Sequence, residues 1–273
     1  MRPLVIYHGN CMDGFCAAWC FWHKFSSAVD FFPGSFGKPP PVHAGRQVFL
    51  VDFSYPRETV ARMLVAAQSV TLIDHHHTAL QDLADLPGLQ QFTDQARSGA
   101  TLAWDFLFPN LERPRLLEHV EDRDLWRFAL PDTREIVAAL FSYEYSFTLL
   151  DELIAQGAPA LAQLRQEGEV LERKRKKDMR HLLDACTRQM QIGGVFVPVA
   201  NVPWMLASDA AQELAQNAPF AACYWDSASG RKFELRSRPD GADVAAIAQG
   251  YGGGGHLHAA GFMVRREHPL ACC

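Results

Sequence analysis

Several features that would assign a chain to a familiar class of protein are missing from this sequence. No apolar run is long enough to cross a bilayer. The first apolar segment, residues 4–7, begins almost at the N-terminus, so no signal-peptide layout precedes it. We therefore expect a cytoplasmic protein that has no membrane partner.

A strong positive charge is also missing. The formal net charge is −5 and the sequence pI is about 6.1, which argues against a protein that coats long nucleic acid. A local basic run remains at residues 172–177. A solvated helix face is the more ordinary explanation of this run, and a guide for a polyanionic substrate is the functional one.

The cysteines do not form a disulfide framework. There are seven, an odd number, and only Cys272 and Cys273 adjoin. Scattered cysteines of this kind favour reduced thiols, as in a cytoplasm. We expect the adjoining pair to belong to a frayed tail over residues 269–273.

The chain does contain three short apolar segments that predict parallel strands. They cover residues 4–7, 48–51 and 70–73, and segments of helical length separate them. The 273 residues, 48% of them hydrophobic, are enough for one large or two modest domains. In a parallel βαβ arrangement the carboxyl ends of all three strands lie at one edge of the sheet.

Each of these strands ends in residues of the types that bind metals in proteins. The side chains are those of His8 with Asp13, of Asp52, and of Asp74-His75-His76. One such residue at a strand end is usually a polar turn, but three strands in succession favour a shared site. Carboxylates and imidazoles together suit Mn, Mg, Zn or Fe.

The rest of the chain predicts long helices and then a second, smaller α/β domain. Helices are expected over residues 135–150 and 158–192, and the smaller domain over residues 192–268. An acidic cluster at residues 121–126 is either a solvated loop or the source of a further metal ligand.

A run of glycines marks the second domain. Gly253, Gly254 and Gly255, followed by His256, can present successive backbone N–H groups to a phosphate or a carboxylate. Arg236 on a preceding strand adds a cation that suits phosphate oxygens. The alternative is a flexible linker.

These motifs resemble those of the DHH/DHHA1 phosphoesterase superfamily over nearly the whole chain. Asp74-His75-His76 resembles the motif that names the superfamily, and residues 253–256 with 259–261 resemble the signature of its C-terminal domain. The superfamily includes RecJ-like exonucleases, nanoRNA oligoribonucleases, cyclic-dinucleotide phosphodiesterases, pyrophosphatases and exopolyphosphatases.

The resemblance implies an α/β fold in two domains. A parallel-sheet DHH domain is expected over residues 1–150, a helical linker over 151–191 and a DHHA1 domain over 192–268. The active site would lie in the cleft between the two domains.

The resemblance also implies a centre of two divalent ions, typically Mn²⁺, with Mg²⁺ or Zn²⁺ as alternatives. Asp52 would bridge the ions, His75 would bind one, Asp74 would support its neighbour, and His76 would face the scissile phosphate. For the ligand of the fourth motif we choose Asp122 and keep Asp124 in reserve. In the second domain, Arg236, Ser237, the three glycines and His256 would contact substrate phosphate.

The first motif departs from the superfamily pattern. His8 and Asp13 match it, but Cys11 stands where the first of two aspartates is usual. A thiolate can bind metal, yet it is a softer ligand that favours Zn²⁺ over Mn²⁺. The identity and number of the ions are therefore left open.

The function expected from these motifs is metal-dependent phosphodiester hydrolysis. The substrates would be short oligonucleotides or linear and cyclic dinucleotides. The alternatives are a phosphomonoesterase or exopolyphosphatase on the same site, and a non-catalytic regulator that binds nucleotides. The partner is thus a short nucleic acid or a dinucleotide, and a homodimer is left open.

Overall fold

The structure, a computed structural model, describes residues 1–271. The tail predicted at Cys272 and Cys273 lies outside these residues. The chain divides into two compact units, the first covering Met1–Arg173 and the second beginning at Lys174. The domain boundaries expected near residues 150 and 191 stay predictions.

The first unit is built on a parallel sheet of five strands. The strands are β1 (Leu4–His8), β2 (Asp30–Gly34), β3 (Gln47–Val51), β4 (Ser69–Asp74) and β5 (Gln90–Thr93). Their order is β2-β1-β3-β4-β5, and every neighbouring pair is parallel. The three strands predicted from apolar runs are confirmed as β1, β3 and β4.

Helices cover both faces of this sheet. The helices of this part of the chain are α1 (Met12–Phe25), α2 (Arg57–Ala66), α3 (His77–Leu83), α4 (Gly99–Leu107), α5 (Arg115–Asp124), α6 (Thr133–Leu140), α7 (Phe147–Gln156) and α8 (Ala158–Cys186), the last of which continues past the end of the first unit at Arg173. Successive side chains of a strand point to opposite faces, so a strand buried on both sides is apolar throughout. In β3, for example, Val51 packs in the core that contains Trp19 of α1, whereas Leu50 packs in the core that contains Met63 of α2.

The second unit contains a mixed sheet of six strands. They are β6 (Thr187–Ile192), β7 (Val195–Asn201), β8 (Ala221–Ser227), β9 (Gly230–Arg236), β10 (Gly254–His256) and β11 (Ala259–Val264). Their order is β10-β11-β9-β8-β7-β6, and within this sheet, as far as the structure describes it, β7 and β8 pair in parallel and the other neighbours pair antiparallel. With α9 (Trp204–Leu214) and α10 (Val244–Gln249), the unit is α/β, as predicted.

Two predicted helices have the wrong extent. The helix expected over residues 135–150 is two helices, because a new helix begins at Phe147 after its N-cap Ser146, whose hydroxyl accepts a hydrogen bond from the Leu149 amide at 3.3 Å. The helix expected over residues 158–192 ends at Cys186. Met190 and Ile192 are buried while Gln191 between them is exposed, a period of two that belongs to strand β6.

Short elements escaped the sequence analysis. β2, which contains Pro33 and Gly34, was not among the predicted strands, and β5 exposes all four of its residues. A short edge strand carries little hydrophobic pattern, so its backbone pairing with a neighbour is the main sign of it. Over residues 1–271, no helix combines the length and the apolar character that a membrane crossing requires.

Replacing Leu50 by Ala should destabilise the first unit by about 2–5 kcal/mol, because a fully buried leucine of the central strand leaves a cavity. The measurement is denaturant unfolding of the variant and the parent. Val65→Ala is the control, since that side chain is 90% exposed and its loss should change stability little. Equal stability of the Leu50 variant and the parent would contradict the assignment of this core.

Candidate metal centre

The carboxyl ends of β1, β3 and β4 bring the predicted ligands together. His8 ends β1, Asp52 directly follows β3, and Asp74 ends β4. These three strands are neighbours, so the prediction of one shared edge is confirmed. The strand order reverses between β1 and β3, and open α/β sheets bind ligands at such a switch point. His8 and Asp52 lie on either side of it, with Nδ1 and Oδ2 3.4 Å apart.

The backbone at Asp52 holds its carboxylate between two imidazoles. Asp52 has a φ of +53°, a conformation that a residue other than glycine seldom adopts but that Asp tolerates. Its amide donates to the Ile73 carbonyl at 2.9 Å, which ties it to β4. One carboxylate oxygen then lies near His8, and the other lies 3.2 Å from Nε2 of His75.

Asp13 links the centre to a neighbouring helix. It is buried in the first turn of α1, and its carboxylate accepts hydrogen bonds from the amides of Gly99 (2.6 Å) and Ala100 (3.1 Å) at the start of α4. These amides have no partner within their own helix, and the positive end of the helix dipole favours a carboxylate. The Nε2 atom of His75 lies 3.9 Å from Asp13.

Gly99 is a site residue that sequence reasoning missed. A Cβ atom at this position would lie 2.4 Å from Cβ of Asp52 and 2.9 Å from Oδ2 of Asp13, so no side chain fits. In the sequence, Gly99 is only a glycine that precedes an apolar segment of helical spacing. That signal places a helix start but does not reveal that two distant carboxylates converge on it.

Asp124, the residue held in reserve, is the aspartate of α5 that lies beside the other candidate ligands, whereas the carboxylate of Asp122 is engaged elsewhere; which of the two binds metal stays a prediction. Asp124 lies 3.5 Å from Nε2 of His75. Asp122 instead binds the loop after α5, where it accepts from the amides of Ala129 (2.8 Å) and Leu130 (3.0 Å) and from the Thr133 hydroxyl (2.6 Å). Residues two apart on a helix do not share a face, so one of the pair can serve the centre while the other shapes the loop.

Asp74 and His76 form a hydrogen-bonded pair. The Asp74 carboxylate is fully buried and lies 2.7 Å from Nδ1 of His76, and it also accepts from the His75 amide at 2.8 Å. This contact fixes the orientation of the His76 ring. The position of Asp74 fits the supporting role predicted for it.

Crowding of buried carboxylates perturbs the acid–base behaviour of the centre. Burial, and then the charges of Asp52 and Asp124, hold the pKa of Asp13 well above its usual value, and burial also raises the pKa of Asp124. Burial alone would lower the pKa of His75, but its hydrogen bond with Asp52 and the nearby carboxylates raise that pKa to about 10. Burial would likewise raise the pKa of Asp52, yet its hydrogen bonds with His75 and His8 hold that pKa well below its usual value.

The donors present fit divalent cations. The first unit contains three sets of candidate ligands. Within each set, the ligand atoms lie within 4.8 Å of one another. The sets are His8–Cys11–Asp52, Asp13–His75–Asp124 and Asp52–Asp74–His75–His76. Ligands held about 2.1 Å from one ion are roughly 3–3.5 Å apart, close to several of the separations measured here. Among residues 1–271, the buried Oδ2 atom of Asp74 has no hydrogen-bond partner, and that of Asp52 has only the long 3.4 Å contact with Nδ1 of His8. A pair of cations would compensate these buried charges.

The residues predicted to contact phosphate all lie in the second unit, and several have structural roles there. Arg236 ends β9 and has its guanidinium 2.6 Å from a Glu234 oxygen. Ser237 is buried, and its hydroxyl donates to the Ala242 carbonyl at 2.7 Å.

The glycine run forms part of the sheet. Gly254, Gly255 and His256 make up β10, which pairs with β11. A Cβ atom at Gly253 would lie 2.1 Å from the Gly261 carbonyl, and Gly255 has a φ of +145°. Close approach to β11 therefore requires these glycines. Phosphate binding by this unit stays a prediction.

No protein-family model matches the chain. An uncharacterized protein of Acanthamoeba polyphaga mimivirus is 27% identical over 284 residues, a match that covers 94% of this chain and 66% of that protein's length.

Two solved structures are similar over nearly the whole chain. One is the DHH domain of a member of the S1p family of ribosomal proteins, at 12% identity and a TM-score of 0.61, covering 98% of this chain and 84% of that one. The other is an exopolyphosphatase-related protein from Bacteroides fragilis, at 13% identity and a TM-score of 0.52, covering 99% and 89%. The fold is therefore that of DHH-domain proteins, as the sequence predicted.

The two aspartates of α5 should behave differently when each is changed to Asn. Asp124→Asn should weaken binding of Mn²⁺ or Zn²⁺ by at least about 10- to 100-fold, the cost of losing an outer-shell partner of a ligand, with an unchanged melting temperature. Asp122→Asn should leave metal affinity nearly unchanged and lower stability by about 1–3 kcal/mol, because buried donors lose a charged acceptor. Calorimetric metal titration and thermal unfolding measure the two effects.

The cause of the Asp122 effect can be checked with pH. Burial would raise the pKa of Asp122, but its hydrogen bonds, first that from the Thr133 hydroxyl, lower it. The charged carboxylate therefore stabilises the fold at neutral pH, and this stabilisation is lost as the pH falls through the lowered pKa. The stability difference between the parent and Asp122→Asn should shrink in acid.

A larger loss of metal affinity in Asp122→Asn than in Asp124→Asn would contradict the assignment of Asp124.

Proposed function

We propose that this protein is a metal-dependent phosphoesterase of the phosphodiesterase type. The observation that carries the proposal is the convergence of Asp52 with His8, His75 and two further aspartates at the edge of the parallel sheet. Two divalent ions bound by this set would lower the pKa of water and neutralise phosphoryl oxygens. The identity of the ions, with Mn²⁺ as the first expectation, belongs to the proposal.

Asp52 is the residue best placed to serve both ions. Its two carboxylate oxygens face different imidazoles, Oδ2 towards His8 and Oδ1 towards His75. A carboxylate that faces two ligand sets can bridge them. Asp13 and Asp124 complete the set around His75, and the hydrogen bonds from α4 keep Asp13 in place when the site binds or loses an ion.

The exposure of the side chains indicates where a substrate reaches the centre. Asp52, Asp74 and His75 are at most 1% exposed, whereas the side chains of His8 and His76 are 25% and 22% exposed. A phosphate group would therefore approach on the side of His8 and His76. The buried carboxylates behind them exclude bulk water, which strengthens the electrostatic contacts inside.

His76 is the candidate for proton transfer. Because Asp74 holds its Nδ1 atom, Nε2 is the ring atom that would hydrogen-bond a non-bridging phosphoryl oxygen or donate a proton to the leaving group. Such positioned general acids contribute roughly 10²- to 10⁴-fold to a rate.

His76→Ala should keep its metal and lose about 10²- to 10⁴-fold in kcat. The assay uses metal-loaded protein with pApA, short RNA oligomers and polyphosphate, and elemental analysis counts the ions in parent and variant. The neighbouring, partly exposed His77 gives the matched control: His77→Ala should retain activity. An unchanged kcat in His76→Ala would remove the assigned role. Tight dinucleotide binding with no turnover of any substrate by the parent would favour the regulatory alternative.

Phe36 favours substrates that carry a nucleobase. Its ring is 66% exposed, with its centroid 5.4 Å from that of the His8 ring and 5.0 Å from that of Phe53. An exposed aromatic ring beside a metal ligand offers a surface on which a base can stack. We therefore place short oligonucleotides and dinucleotides ahead of polyphosphate. Phosphate contacts from Arg236, His256 and the glycine run of the second unit belong to the same proposal.

Polyphosphate hydrolysis is the second candidate function. The Bacteroides fragilis structure that shares this fold is named an exopolyphosphatase-related protein. The metal centre alone would serve a phosphoanhydride as well as a phosphodiester, since its ions act on phosphoryl oxygens in both. The choice therefore depends on the groups around the centre.

Phe36→Ala separates these two candidates. If bases stack on this ring, the variant should raise KM for pApA by about 5- to 100-fold, in line with 1–3 kcal/mol for one stacked base. KM for polyphosphate should not change. Phe141→Ala, which removes a ring that is 47% exposed at the end of α6, controls for loss of a surface aromatic. Equal effects on both substrates would count against base stacking.

A further inference from the structure

The two sides of the candidate metal centre differ in their donor atoms. One set comprises Asp13, His75 and Asp124, which offer oxygen and nitrogen. The other set comprises His8, Cys11 and Asp52, which add a sulfur atom. Both sets lie around the same carboxylate, since Asp52 is 3.2 Å from His75 and 3.4 Å from His8. A centre with two ions would therefore hold them in unequal surroundings.

The backbone fixes Cys11 near His8. Asn10 adopts a φ of +59° and turns the chain sharply between the end of β1 and the start of α1. The contact between the two elements is close, because a Cβ atom at Gly14 would lie 2.6 Å from the His8 carbonyl oxygen. The position of the sulfur thus follows from the same turn that places His8.

Helix capping does not explain a cysteine at this position. Cys11 is the residue before α1, where Ser, Thr, Asp or Asn would satisfy the first amides of the helix. Its side chain makes no capping hydrogen bond. The other cysteines of α1 are ordinary core residues: Cys16 and Cys20 are fully buried, and Cys20 donates to the Cys16 carbonyl at 3.3 Å.

We propose that His8, Cys11 and Asp52 form a sulfur-containing site that selects Zn²⁺ or a similarly soft divalent ion, next to an oxygen-rich site for Mn²⁺ or Mg²⁺. Sulfur ligands favour Zn²⁺, whereas carboxylates without sulfur suit Mn²⁺ and Mg²⁺. The centre is then heterodinuclear. This inference rests on the proposed function only in that both use the same residues. Ion binding can be measured without any substrate.

The test is titration of the metal-free protein with Co²⁺, followed by competition between Zn²⁺ and Mn²⁺ and by elemental analysis. Cobalt bound to a thiolate has a near-ultraviolet charge-transfer band that cobalt bound only by oxygen and nitrogen lacks. The parent should show this band and should retain one zinc and one manganese per chain. Cys186→Ala, which removes a cysteine of the second unit that is also partly exposed, should behave like the parent.

Two variants of Cys11 make the test specific. Cys11→Ala should lose the cobalt band and lower zinc affinity by at least about 10- to 100-fold, since loss of even an outer-shell partner of a ligand costs that much. Cys11→Asp should also lose the band but should bind two manganese ions, because it makes both sites oxygen-rich. A parent without the band, or a band that survives in either variant, would overturn the proposal.

The outcome is independent of catalysis. A protein that binds cobalt through Cys11 but hydrolyses no phosphoester supports the sulfur-containing site and defeats the proposed function. A protein that hydrolyses phosphodiesters with two manganese ions and no cobalt–thiolate band does the reverse.

Discussion

The structure of the first unit depends on one buried carboxylate, that of Asp52. It lies between two imidazoles, in a backbone conformation that costs energy, and further carboxylates surround it. Buried like charges repel strongly unless protons or cations compensate them. The neighbouring elements are arranged around this need: α4 offers its first amides to Asp13, and Asp74 holds His76. A strained backbone and crowded like charges are typical of functional sites, because stabilising contacts elsewhere in the fold offset their cost.

Much of this arrangement could be predicted from the sequence because parallel strands carry a strong signal. Strands β1, β3 and β4 are apolar on both faces and end in polar residues, so their pattern and the topology of βαβ units place His8, Asp52 and Asp74 at one edge. Nothing beyond the residue order was needed for that step. Cys11, in contrast, stood out only through the resemblance to the first motif of the superfamily.

The sequence failed where tertiary contacts decide. Asp122 and Asp124 are both acidic residues of one helix end, and only the loop that returns at residues 129–133 determines which of them is already engaged. The glycine run could be read as a phosphate loop, yet much of it pairs as an edge strand. Period-two burial in β6 was overlooked because the preceding helix is long and its polar pattern continues without a break.

Gly99 has a consequence for reading related chains. A motif search would recognise the Asp-His-His triplet and pass over a single glycine nearly 50 residues from Asp52. Yet any larger residue there would push against two of the carboxylates that the triplet works with. A homologue that keeps the triplet but lacks this glycine is therefore expected to have lost the arrangement of carboxylates seen here, even though its motif is intact.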